Sequence, residues 1–376
     1  MKKILVAGAG LAGCTAARLL AEKGHQLTIY EAREHIGGNI YDEKQASGIT
    51  RQIYGPHIFH TRQQEIWQFV TRFTKMRPFQ HRVLSYTQGQ LYPFPINRDT
   101  ICQLYGINLA NDEVPAFLEQ EVKKAKFDLP AKNFRDAIVS QVGEYLYHCF
   151  FENYTAKQWQ RDPSELSAEV AGRIPVRANR DDRYFTDRYQ GIPLPGYTAM
   201  CEKMLDHPQI KVCCKQPYKK GDEQDFDLLI YTGRLDDFFE RDEGELSYRS
   251  VHFDFQTLDE REYQPAAVVN YPNDYDFTRI TEFKHMTGEH STQTEICLEY
   301  PSAEGVPCYV VLNQENLALR ERYQAKAKAL ENAEKVIFLG RLAEYKYYNM
   351  DQVIARAMEV CAQIRKTAGS DSARLS

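Results

Sequence analysis

No apolar stretch in this chain of 376 residues approaches the ~20 residues that a membrane-spanning helix needs. Runs of like charge are missing too, which excludes a basic nucleic-acid-binding arm and an acidic tail. The 47 basic and 52 acidic side chains leave a net charge of −5, which suits a soluble protein with no general affinity for nucleic acid. The nine cysteines are scattered and odd in number, with Cys213 and Cys214 adjacent and no C-x-x-C. This pattern argues against a zinc or disulfide framework and reads as free thiols in a reducing compartment. The start, Met1-Lys2-Lys3-Ile4, looks like a signal peptide, but Gly8, Gly10 and Gly13 break any apolar helical region. The chain is therefore expected to be cytoplasmic. Trp is scarce at 2 residues, whereas Tyr reaches 24. A flat face with a hydroxyl suits polar, ring-shaped ligands, although most tyrosines serve ordinary packing.

With 43% hydrophobic residues, a chain of this length buries a large core and is expected to form two or three domains. Residues 2–6 are an apolar run, followed by Gly-Ala-Gly, a helical pattern over 11–23 and a β-rich run over 26–30 that closes on Glu31. The order strand, glycine turn, helix, strand predicts a βαβ unit with a parallel pair. Helical spacing appears at 65–73, and 83–95 reads as a hairpin ending in a Pro-rich loop. From 98 to 160 the pattern is helical, clearest at 114–124, 134–142 and 145–154. The stretch 173–196 is rich in Pro, Gly and Arg, which predicts loops and short strands. Further on, 197–205 reads as a helix, and 210–214 and 227–233 as strands. Alternating runs over 246–311 predict an antiparallel sheet. Helices are expected at 315–333 and 350–366, with a strand at 336–339 between them.

Gly8-x-Gly10-x-x-Gly13 lies between a strand and a helix, and Glu31 ends the next strand. Gly8 makes the tight turn, Gly10 lets the backbone approach a pyrophosphate, and Gly13 lets helix pack on strand. The helix N-terminus then faces the phosphates, and the Glu31 carboxylate can accept from both ribose hydroxyls. A lone G-x-G-x-x-G is weak, but the full context predicts a dinucleotide site. After Glu31 come Arg33 and the pair Gly37-Gly38. This resembles the acid, Arg and Gly-Gly pattern of the large FAD-containing oxidoreductase superfamily. Phe338-Leu339-Gly340-Arg341 resembles the strand that returns there to bind the far end of FAD.

More specific segments follow. Tyr54-Gly55-Pro56-His57-Ile58-Phe59-His60-Thr61, Phe150-Phe151-Glu152-Asn153-Tyr154-Thr155-Ala156-Lys157-Gln158-Trp159 and Arg173-Ile174-Pro175-Val176-Arg177 resemble bacterial UDP-galactopyranose mutases. So do Tyr189-Gln190-Gly191-Ile192-Pro193, Phe277-Thr278-Arg279, and the run from Gly340 to Tyr348. The matches extend in order from residue 1 to about 366. The resemblance implies an α/β fold: a discontinuous FAD-binding Rossmann-like domain with an inserted helical subdomain and an antiparallel β-sheet subdomain. The expected bounds are 1–78, 192–246 and 315–366 for FAD, 98–165 for the helices, and 79–97, 166–191 and 247–314 for the substrate sheet. A flexible tail is expected over 367–376.

The activity implied is the redox-neutral interconversion of UDP-galactopyranose and UDP-galactofuranose, an isomerase reaction that supplies furanose for cell-surface polysaccharide. Reduced FAD is the nucleophile: flavin N5 attacks the anomeric carbon, UDP leaves, and the sugar recloses as a five-membered ring. NAD(P)H or another reductant supplies the electrons. The partner is a nucleotide sugar, and a homo-oligomer is expected, with no metal.

By the same resemblance, Arg173 and Arg279 hold the diphosphate, which suits planar guanidinium groups. Arg173 lies in the Pro- and Arg-rich stretch, which suits a mobile lid. His60 and His57 stand beside the flavin, and protonation of His60 steers N5. Phe150, Tyr154, Thr155 and Asn270 hold uracil, with Trp159 and Tyr184 near the substrate and Tyr309 and Tyr347 on the phosphates. His81 and Arg249 complete the substrate set. The cofactor is expected to touch Gly8, Gly10, Leu11, Ala12 and Gly13 at the turn. Beyond it come Glu31, Ala32, Gly38, Asn39, His57, Ile58, Val212 and Gly233. The C-terminal segment adds Gly340, Arg341, Tyr348, Asn349, Met350, Asp351, Gln352 and Val353.

The chain also departs from the family. Many members carry Asn at His81 and Asp at Asn349. Pro-Tyr-Tyr-Pro appears as Pro307-Cys308-Tyr309-Val310, and Gln-Trp-Gly as Gln158-Trp159-Gln160. These leave the sugar open, so UDP-N-acetylgalactosamine or a dTDP-6-deoxy sugar is an alternative substrate. An FAD-dependent oxidase or desaturase on the same fold is a second reading, and a non-catalytic binding module, which would purify colourless, a third.

Overall fold

In β1 (Lys3–Ala7) Ile4 and Val6 point to one face and Leu5 and Ala7 to the other, and all four are buried. A strand apolar on both faces needs cover on both sides, the environment of a parallel sheet. β1 pairs in parallel with β2 (Gln26–Tyr30) and with Leu228–Tyr231, while Ile210–Cys213 and Val336–Phe338 take the two edges. Helix α1 (Leu11–Glu22) connects β1 to β2. Its buried Ala16, Ala17 and Leu20 pack with the helices Tyr197–Leu205 and Met350–Gln363 on one face. Helix Gln314–Asn332 covers the other face through Leu319, Tyr323 and Ala327. Each large apolar side chain buried this way contributes about 1.5–3 kcal/mol. The structure is a computed structural model that describes residues 1–173 and 175–364, with backbone only at Glu169, Gly172 and Arg173. The tail expected over 367–376 lies outside the described residues.

A second sheet has seven strands, in the order Tyr309–Val310, Tyr248–Leu258, Thr294–Ser302, Arg279–Glu282, Val268–Asn270, Val83–Thr87 and Gln90–Phe94. It is not purely antiparallel as expected. Val268–Asn270 runs parallel to Val83–Thr87, because a strand from the first third of the chain joins strands from the last third without a hairpin. A small sheet of Phe59–Thr61, Tyr189–Leu194 and Lys75–Pro78 lies between the two large ones in sequence. Its central strand, Tyr189–Leu194, runs through the domain boundary expected at 191–192.

The helical layer contains Arg98–Tyr105, Val114–Lys123, Phe134–Phe150 and Glu152–Trp159. Phe134–Phe150 is interrupted at Gly143, which adopts φ 80 and ψ 172. A Cβ there would lie 2.9 Å from the backbone of Glu121, so the glycine allows the neighbouring helix to approach. The stretch 145–154, expected as one helix, breaks at Phe151. Phe150 and Phe151 both reach Phe94, at ring distances of 6.4 and 5.8 Å. Adjacent residues of a regular helix do not face the same neighbour, so the backbone kinks to bury both rings. Among the described residues no helix is long and apolar enough to cross a membrane.

Candidate functional site

The turn after β1 opens a cavity of about 430 Å³. Gly8 stands at φ 112, and a Cβ on Gly13 would fall 2.0 Å from the carbonyl oxygen of Gly8, so helix and turn touch through bare backbone. Across the cavity mouth a Cβ on Gly38 would lie 2.8 Å from Cα of Gly10. Helix α1 has no side-chain cap and no acid in its first turn. Its first residues, Leu11 and Ala12, line the cavity, and the N–H groups of a helix's first turn have no partner within the helix, a ready anion seat. Glu31 is buried beside the turn and also lines the cavity. Its Oε2 accepts the N–H of Ala9 at 2.7 Å and its Oε1 that of Arg33 at 2.9 Å. The carboxylate is thus held by backbone, and its remaining lone pairs are free for ribose hydroxyls. Arg33, over the Tyr54 ring at 4.5 Å, has a buried Nη1 without a partner. An unpaired helix end, a buried acid and an orphan guanidinium nitrogen around a glycine-lined trough fit a dinucleotide pyrophosphate.

Of the expected cofactor residues, Gly8, Gly10, Leu11, Ala12, Glu31, Ala32, Gly38, Asn39, His57 and Gly233 line this cavity, as do Gly340, Arg341, Tyr348, Met350 and Val353. Gly13 lies under the turn, in contact with Gly8 rather than the cavity. Ile58, Asn349 and Gln352 line a second cavity instead. Val212 pairs with Ile29 on an edge strand and packs on the core, and Asp351 accepts the N–H of Gln352 on the helix surface. Neither is among the residues that line the cavity. Arg33, the arginine of the acid, Arg and Gly-Gly pattern, also lines the cavity, and sequence reading missed Thr232 and Arg234, which line it from a segment that carries no motif.

The second cavity, of about 550 Å³, shares Asn39, His57, Arg341 and Met350 with the first, so the two adjoin there. Its wall is built by strand register. Asn270, Arg279 and Glu299 stand directly opposite one another on three neighbouring strands and therefore share one face. Arg279 Nη2 donates to Glu299 Oε2 at 2.8 Å, and its Nε is buried without a partner. Burial works against this cation, yet Glu299 and the nearby tyrosine hydroxyls outweigh it and keep the guanidinium charged. The geometry leaves one edge of a paired arginine free to grip an anion.

His60 reaches the same cavity by alternation, since Phe59 and Thr61 point into the core. Its ring stacks on Phe185 at 3.7 Å and its Nδ1 donates to Asp187 Oδ2 at 2.6 Å. Asp187 and Phe185 are functional neighbours that the sequence did not reveal. His57 bonds the Gly55 carbonyl at 2.8 Å, and burial pushes its pKa down to about 4. Phe150, Tyr154, Thr155, His81, Tyr184, Asn270, Tyr309 and Tyr347 also line the cavity. Burial raises Tyr154 to about 12 and also raises Tyr184 and Tyr309, so these hydroxyls stay protonated donors. The Tyr309 and Tyr347 rings stack at 5.7 Å beneath the Arg341 guanidinium, which donates to the Cys308 and Tyr348 carbonyls at 2.8 and 2.6 Å.

Trp159 and Arg249 are not in this cavity. They line a third, polar one of about 730 Å³. Arg249 lies directly across from Tyr309 in the strand pairing, so the two cavities adjoin there. Arg249 is buried, with Nε and Nη2 unpaired, and burial lowers its pKa. The backbone of Arg173 ends the 3-10 helix Ala168–Arg173, and its side chain lies outside what the structure describes.

Fold and site together define a Rossmann-type dinucleotide-binding protein with an anion-gripping cavity at the far end of its cofactor trough. The model for UDP-galactopyranose mutase matches residues 149–347, and that for an NAD(P)-binding Rossmann-like domain matches residues 6–73. A Klebsiella pneumoniae protein named "Probable UDP-galactopyranose mutase" is 36% identical over 95% of this chain and 93% of its own. The dTDP-fucopyranose mutase of Escherichia coli is 35% identical over 97% of this chain and 98% of its own. A crystal structure of reduced UDP-galactopyranose mutase superposes with a TM-score of 0.76 at 17% identity, covering 96% of this chain and 95% of that one. The chain belongs to the UDP-galactopyranose mutase family.

Proposed function

We propose that the chain is an isomerase that interconverts UDP-galactopyranose and UDP-galactofuranose. FAD occupies the trough beside Gly8 and Gly10, and the sugar nucleotide occupies the cavity that holds Arg279. The observation that carries this reading is that the two cavities adjoin at Asn39, His57, Arg341 and Met350, with Arg279 in the wall of the second, paired to Glu299 and with its Nε left unpaired. When bound in its reduced form, FAD supplies the nucleophile for the anomeric carbon, with NAD(P)H or another reductant as the electron source. The chain's own residues bind and orient. Arg279 offsets the charge of the departing diphosphate, and Tyr309 and Tyr347 donate to its oxygens. Arg173 is the expected second diphosphate arginine. Thr155 and Asn270 offer polar edges to the base, and Phe150 offers a face. With charge neutralised and the sugar held near the flavin, positioning supplies much of the rate. The Escherichia coli relative makes a dTDP-6-deoxy sugar the second reading.

Dithionite-reduced protein incubated with UDP-galactofuranose and, separately, with dTDP-fucofuranose tests both. The expected result is UDP-galactopyranose, resolved by chromatography. Absence of that product would sink the galactose assignment, and dTDP-fucopyranose alone would transfer it to the deoxy sugar.

A further inference from the structure

Lys157 stands on helix Glu152–Trp159, just after Tyr154 and Thr155, which line the second cavity. Its half-buried ammonium turns to the loop that joins strand Val268–Asn270 to strand Arg279–Glu282. There Nζ donates to the carbonyls of Tyr271 at 2.5 Å, Tyr275 at 2.8 Å and Phe277 at 3.0 Å. An ammonium has three N–H groups, so these bonds use all of them and leave none for a ligand. Tyr271 follows Asn270 directly and Phe277 closely precedes Arg279, so both ends of the loop are held. One turn earlier on the helix, Asn153 Nδ2 donates to Asn273 Oδ1 at 2.9 Å, and Asn273 Nδ2 donates to the Cys149 carbonyl at 3.1 Å. Burial lowers the pKa of Lys157 to about 8, against the pull of Asp276 and Asp274 in the loop. The phenols that reach the loop from neighbouring strands are Tyr86, in ring contact with Tyr271 and Tyr275, and Tyr300, in ring contact with Phe277. Burial raises Tyr271 itself to about 12 and also raises Tyr300.

Strand register sets Arg279 against Asn270 and Glu299 within the sheet, but it does not set where the helix with Tyr154 and Thr155 lies relative to that sheet. A compact cation with three donors on one atom can hold three converging carbonyls, which neither a planar fork nor a neutral amide can do. We propose that Lys157 is a positioning residue that fixes the spacing between the base-binding helix and the diphosphate-binding Arg279, so that a nucleoside diphosphate meets both at once. The inference rests on the mutase function proposed above and adds a residue that touches neither substrate nor cofactor.

The test measures the Kd of the holoenzyme for UDP by calorimetry. Lys157→Met should weaken binding about 10-fold. In an Arg279→Ala background the same substitution should cost no more than about 2-fold, because no guanidinium remains to be placed. A lysine that served only the fold would cost the same factor in both backgrounds. The pH series gives a second readout. Below about pH 8 the ammonium is present and the spacing is held, and the advantage of the wild type over Lys157→Met should shrink toward 1 as pH rises from about 7 to about 9.5. Any titration of UDP itself cancels in that ratio. Flavin absorbance reports whether each variant is folded. If Lys157→Met loses its flavin, Lys157→Arg, which keeps its charge throughout this range, takes its place, and its affinity relative to the wild type should rise over the same interval. Equal losses in the two backgrounds, or a ratio that does not change with pH, overturn the role of Lys157 alone. Failure of the wild type to bind UDP overturns the mutase function, and the role of Lys157 with it.

Discussion

Arg279 shows how a single residue acquires its role from neighbours. Register places it between Asn270 and Glu299, and Glu299 leaves part of its fork for a ligand. Arg279→Ala should lower kcat by roughly 10²–10³-fold, the scale of losing one preorganised charge-stabilising donor. Flavin content should not change, since Arg279 lines the substrate cavity and not the dinucleotide trough. Arg279→Lys should recover little, because an ammonium lacks the planar fork. Wild-type turnover in Arg279→Ala, or loss of flavin from it, would show that the residue has been misplaced. Gln160 is a second residue where position outweighs type. It adopts φ 49 and ψ 44 at the end of helix Glu152–Trp159, where the family's Gln-Trp-Gly has glycine. The strain of a side chain there costs about 1–2 kcal/mol, and the bond from its Nε2 to the Pro301 carbonyl at 3.1 Å offsets part of it.

Among the elements, helix Phe134–Phe150 is the one whose geometry depends on a single atom. At Gly143 both the positive φ and the approach of Glu121 forbid a Cβ. Gly143→Ala should destabilise the protein by about 1–3 kcal/mol, read as a lower urea midpoint at unchanged slope. The substitution should also disturb substrate binding more than flavin binding, since this helix leads into Phe150 and Tyr154 and is remote from β1. An unchanged midpoint would mean that the helix pair accommodates a methyl group. The helical pattern of this stretch was plain in the sequence, and so was a break near 143. The second break, at Phe151, was not, because it answers to Phe94 on a distant strand.

For the whole molecule, the buried histidines of the second cavity couple stability to pH. An unfolded histidine titrates near 6.5, whereas burial pushes His57 to about 4 and His81 to about 3. Between these values the unfolded chain binds more protons than the folded one. The stability that neutral histidines allow is thus present above about pH 6.5 and is lost as pH falls from there toward 4. The urea midpoint of the wild type should therefore fall more steeply between pH 7 and 5 than that of the double variant His57→Asn/His81→Asn. Parallel lines for the two proteins would remove these residues from the explanation. Both histidines line the cavity that holds Arg279, so a filled site should also resist acid better than an empty one.

The βαβ unit was legible in the sequence because its cause is local. A strand apolar on both faces, a turn only glycine can make, and an acid at the next strand end are dictated by residues within about thirty positions of each other. Motif resemblance likewise pointed to most residues of both cavities. Their partners were hidden. Glu299 for Arg279, Asp187 for His60 and Phe185 against two histidines come from segments with no local signature, joined by strand register and by one parallel strand pair that spans about half of the chain. The separation of Trp159 and Arg249 into an adjoining cavity was equally invisible, since spacing along a chain does not say which side of a wall a side chain faces. Sequence alone thus pointed to a dinucleotide at the glycine turn and to the family the chain resembles. Packing decided which charges are paired and which stay open to a ligand, because burial and partnership are properties of the assembled layers.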